Sequence, residues 1–140
     1  MSFRRVEKDR VFFTEQQSNS ASPLKLGVSD FRHCIIQIAT SNSFVGSIFI
    51  AGAIGASAPT FTWTGSNADN THDNPFSFLQ AINLEDGSAV DGDTGVELNT
   101  SADTIRLYEV NINAVDWLTV FLTARQAGSV SIKATVATNA

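Results

Sequence analysis

The chain has one cysteine, Cys34, among 140 residues, so no intrachain disulfide can form and its stability has to come from packing or assembly. Two histidines, His33 and His72, with that one thiol are too few for the paired ligand spacing of a zinc site. Charged residues are only 16% of the chain against 43% hydrophobic, which excludes the charge-rich disordered class. A long apolar run is missing too. The longest, Phe44 to Ala58, is broken by Gly46, Ser47, Gly52, Gly55 and Ser57 and falls short of the ~20 residues that span a bilayer as a helix. Residues 1–20 carry charges from Arg4 to Glu15 and no apolar h-region, so we expect no conventional secretory signal and read a soluble chain.

A convincing amphipathic helix is also lacking; from Phe31 onward the apolar residues recur with a period of two. Cys34, Ile36 and Ile38 share one face of a strand, and Phe44 to Ala51 is apolar on both faces. Phe61 and Trp63 alternate with threonines, and Phe76, Phe78, Gln80, Ile82 and Leu84 fall on one parity. Glu85-Asp86-Gly87-Ser88 then supplies a hairpin turn. Ile105 to Ile112 reads as a strand with a bulge near Leu107. Leu118, Val120 and Leu122, then Val130, Ile132, Ala134 and Val136, read as a hairpin closed at Arg125-Gln126-Ala127-Gly128. On its other face Trp117 and Phe121 predict partial cover. Seven or eight short strands imply an all-β fold, an antiparallel β-sandwich of jelly-roll-like type over residues 31–140. Residues 1–30 show no sustained period and contain the loop composition Gln16 to Pro23, so they read as an extended N-terminal arm. Val11, Phe12 and Phe13 give that arm apolar anchors, either for its own sandwich or for a neighbouring subunit.

Six of the nine basic residues lie in the first 32 positions against four acids, whereas the rest of the chain holds three against ten. An acidic body lacks the positive face that phosphate binding needs, which argues against nucleic acid as a partner. Catalytic groups are scarce. His33 and Cys34 are adjacent on a strand and point to opposite faces, so they form no dyad, and no pair of carboxylates stands out for glycoside hydrolysis. We expect no enzyme, no cofactor and no metal. The acids Glu85, Asp86, Asp91, Asp93 and Glu97 have the oxygen chemistry of a calcium site but no EF-hand spacing, and Asp86, Asp91 and Asp93 read instead as turn formers beside glycines. The polar loop with Trp63, Asn67, Asp69, His72 and Asp73 is the candidate ligand or partner surface, with a solvated loop as the alternative.

The stretches Asn83-Leu84-Glu85-Asp86-Gly87-Ser88, Gly92-Asp93-Thr94-Gly95-Val96 and Tyr108-Glu109-Val110-Asn111-Ile112-Asn113, followed by Trp117-Leu118, resemble small virion structural proteins of tailed bacteriophages, particularly capsid decoration (cement) proteins. The resemblance covers about residues 76–136 and is one of texture without a diagnostic motif. It implies a virion protein assembled in the host cytoplasm, a dimer or trimer that binds the capsid protein and bridges neighbouring subunits, with no role at membranes. In that reading Phe3, Val11, Phe12 and Phe13 anchor the arm and Arg4, Arg5, Lys8 and Arg10 meet acidic shell groups, and removing residues 1–30 should leave the sandwich folded. The alternative is a tail, fibre or baseplate component that binds glycan through Trp63 and its loop.

Overall fold

The structure is a computed structural model that describes residues 6–60 and 76–138. It is all-β, and its strands form one antiparallel sheet with no helix among the described residues. Two strands of 21 residues form its spine, β4 (His33–Ala53) and β10 (Trp117–Ala137), paired from Trp117 with Ala53 to Ala137 with His33. Beside β10 runs the N-terminal segment as β1 (Glu7–Gln16), β2 (Ser20–Ala21) and β3 (Leu26–Gly27). Beside β4 run β5 (Ser77–Phe78), β8 (Val96–Asn99) and β9 (Ile105–Asn111), and beyond β9 lie β6 (Ala81–Asn83) and β7 (Ala89–Val90).

Both long strands bend at the same level. Between Thr123 and Ala127 the ladder carries extra residues on β10, and between Ala127 and Ser129 it carries extra residues on β4, so the register is recovered after a reciprocal bulge. Positive φ angles at Asn42, Ser43, Ala124 and Gly128 make the bend. At Gly128 a Cβ would lie 2.5 Å from Phe44 Cα, so the strands cross there only because the residue is glycine. Hydrogen bonds hold the bend from the N-terminal segment across β10 and β4 to the β8–β9 connection: Arg125 N–H to Asn19 Oδ1, Asn42 N–H to Asp103 Oδ1, Ser41 to Ser129 through their hydroxyls at 2.7 Å, and Thr40 to Thr104 through theirs at 3.0 Å.

The bend doubles the sheet into two layers. Cys34, Ile36, Ile38, Ile132, Ala134 and Val136 on one side of it, and Ile48, Ile50, Leu118, Val120 and Leu122 on the other, are all buried in one apolar cluster. A sheet face that is buried throughout needs a cover, and here the other half of the same sheet supplies it together with residues of the connections such as Val28 and Ile112. The Ser22 hydroxyl, in the second layer, accordingly donates to Phe12 O in the first at 3.1 Å. A second apolar cluster covers the outer face of the second layer, where Phe76 packs edge-on to Phe121 and Phe78 on both Phe49 and Phe121, beside Ala51, Ala53 and Trp117. That is the cover expected for the Trp117 and Phe121 face.

Three sequence expectations are corrected. Arg125 to Gly128 does not turn the chain back, because a positive-φ glycine serves a bulge as well as a hairpin and here β10 keeps its direction. Phe76 to Leu84 is not one strand; it divides into β5 and β6, which pair with different partners as the chain crosses between layers. The register of β9 against β4 runs without a bulge at Leu107. A bulge does occur in β1, between Val11 and Phe13, and it lets two consecutive phenylalanines, Phe12 and Phe13, both enter the core. The expected strand at Phe61 and Trp63 lies outside the described residues.

Candidate binding cleft

Along the side of the molecule opposite β1 the two layers do not close. Among the described residues, strand β8 pairs only with β4, and β7 only with β6. Between β8 and the β6–β7–β9 region lies a cleft of about 550 Å³, lined along one wall from Thr94 to Thr100 and along the other by Asn83, Val90, Asp91, Thr104, Arg106 and Tyr108. The Thr100 N–H donates to Phe44 O at 3.0 Å, which fixes the phase of the β8 ladder. Val96 and Leu98 therefore turn their backbone groups toward β4, and Glu97 and Asn99 turn theirs into the open edge.

Sequence pattern accounts for the other wall. Arg106, Tyr108 and Val110 share the inward parity of β9, paired with Ile38, Ile36 and Cys34. Val110 and Tyr108 are buried, whereas Arg106 reaches the rim and pairs with Glu85 at 2.6 Å. The Tyr108 hydroxyl makes no hydrogen bond to any described residue although the side chain is only 3% exposed. Burial pushes its phenol up, Arg106 pulls it down, and Asp86 and Glu85 push it up again. With Arg106 held by Glu85, the remaining lining charges, Asp91 and Glu97, are negative. The strand reading missed this site; a lone arginine on an otherwise apolar parity was the signal in the sequence.

The turns around the cleft use their acids internally. Asp86 Oδ1 accepts from the Ser88 hydroxyl at 2.6 Å and its N–H at 2.9 Å, which lowers the Asp86 carboxyl, and Asp91 Oδ1 accepts from Asp93 N–H at 2.8 Å. No three histidine, cysteine, aspartate or glutamate side chains among the described residues are grouped as a cation would require. Cys34 is buried and its thiol is pushed up to about 12 by desolvation, while His33, on the opposite parity, is exposed.

The residues singled out for a partner are dispersed. Phe12 and Phe13 enter the chain's own core, Lys8 is half-buried, and Arg10 and Val11 are exposed on β1. Phe3, Arg4 and Arg5 lie outside the described residues, as do Trp63, Asn67, Asp69, His72 and Asp73. Val11 shares a row with Lys133, Gln37 and Leu107 across the outer face of the first layer, where Leu84, Ile105 and Leu107 are also exposed.

The fold defines an all-β, doubled-sheet class of protein. No protein-family model matches the chain, and no curated protein matches it. Solved structures do. The crystal structure of SPBc2 prophage-derived protein YomS superposes with a TM-score of 0.70 at 12% identity over 98% of this chain and 97% of that one. The crystal structure of PBSX exported protein XepA gives the same TM-score and identity over 98% of this chain, which spans 39% of XepA. At such identity the likeness is one of fold.

Proposed function

We propose that this protein is a phage virion structural protein, a capsid decoration protein that works by binding within an assembly rather than by catalysis. The observation that carries the reading is the whole-length likeness to YomS, a prophage-derived protein, which supports a phage setting. The absence of a catalytic role is supported by a thiol sealed in the core and a histidine that faces away from it. Bridging through the N-terminal segment would use the exposed Arg10 and Val11 with Lys8, since Phe12 and Phe13 are committed to the chain's own core. The shell partner is the capsid protein, and the protein acts as a dimer or trimer.

Cosedimentation with undecorated shells, with the mass of the free protein measured by light scattering, tests this. A dimer or trimer that binds shells saturably is the expected result. A monomer that stays in the supernatant at every shell concentration would overturn it.

A further inference from the structure

We propose that the cleft beside β8 is a strand-addition site, which takes one extended segment of a partner protein carrying a basic side chain. Three observations carry it. First, the cleft follows β8 along its length, and Glu97 and Asn99 present their backbone N–H and C=O groups to it, the template an added antiparallel strand reads. Second, apart from Arg106, which Glu85 pairs, the charged residues of the lining are Asp91 and Glu97, whose negative charge complements a lysine or arginine and disfavours an acidic segment. Third, Tyr108 lines the same cleft as a residue only 3% exposed, and its hydroxyl has no hydrogen bond to any described residue, so a peptide group entering the cleft would give it a partner. Its volume of about 550 Å³ falls within the range of ligand clefts, roughly 300–1,000 Å³. The end of the cleft is firmly set: Gly95, at φ +74°, lies so close to β4 that a Cβ there would meet Ile48 O at 2.8 Å.

This deepens the assembly reading by naming a docking mode, and it is tested on the isolated chain, so either can fail without the other. The probe is a blocked hexapeptide of alternating threonine and valine with one central lysine, titrated into the isotope-labelled full-length protein while amide resonances are followed. Saturable shifts centred on Glu97 and Asn99 are expected. Exchanging the peptide's lysine for glutamate should weaken binding at least fivefold, and N-methylating its backbone should abolish it. Asn99→Pro removes an outward N–H that no described residue uses, so this variant should keep its melting midpoint and lose the peptide. Should that variant unfold, Asp91→Asn with Glu97→Gln serves instead and should weaken binding at least fivefold. No saturable shift, equal binding of the N-methylated peptide, or the same resonances moving with glucose or with protein concentration alone would overturn the proposal.

Discussion

Cys34 projects from β4 into the space between the layers, where desolvation holds its thiol at about 12 against 9.0 for an ordinary cysteine. The folded state thus keeps the proton more tightly than the unfolded state does. The stability this contributes is complete below pH 9 and is lost as pH rises from 9 through 12. Tyr108, raised chiefly by burial, adds in the same sense. We expect the melting midpoint to fall across that window, and to fall less steeply in Cys34→Ala. The native thiol should resist an aromatic disulfide reagent at pH 8 and react fully in denaturant; rapid reaction of the native protein would contradict the buried placement. Alternation alone puts Cys34 inside and His33 outside, and both were legible. The pairing of Arg106 with Glu85 was not, because it joins β9 to the turn after β6 across a separation that local pattern does not span.

At the scale of elements, the sequence divides the chain into an arm and a body, whereas the molecule lays residues 7–27 beside β10 on both sides of its bend. Phe12, Phe13, Leu26 and Val28 from this segment are all buried in the main cluster. Each such side chain contributes about 1.5–3 kcal/mol on burial. Together they approach the net stability of a whole domain, about 5–15 kcal/mol, before the bared edge of β10 is considered. Removing residues 1–30, which a free arm would tolerate, is therefore expected to abolish cooperative thermal unfolding measured by circular dichroism. A truncated chain with a sharp native-like melt would mean that the pairing contributes little. The strand segments within β4 and β10 were readable from their period. Their continuity was not, since Asn42-Ser43 and Arg125 to Gly128 have the composition of turns, and a bulge and a hairpin use the same positive-φ residues.

Over the whole molecule the pairings join residues far apart in the chain: Glu7 with Ala137, His33 with Ala137, and Ile36 with Tyr108. Such a topology has to close long loops before contacts reward it, so stopped-flow refolding followed by tryptophan fluorescence should be slow for this size, in roughly milliseconds to seconds. Microsecond folding would show that local hairpins dominate instead. The all-β class follows from the sequence by itself, because a period of two and the β-branched and aromatic content of the strands are local properties that survive without knowing any partner. The faces of Cys34, Tyr108 and Leu118 follow in the same way. Only the tertiary structure decided that two 21-residue strands bend together, that the N-terminal segment belongs to the core, and that β8 keeps one edge unpaired among the described residues, beside a cleft. Each of these depends on which strand lies next to which. That is settled by the competition among many distant pairings of similar local strength, which no window of neighbouring residues contains.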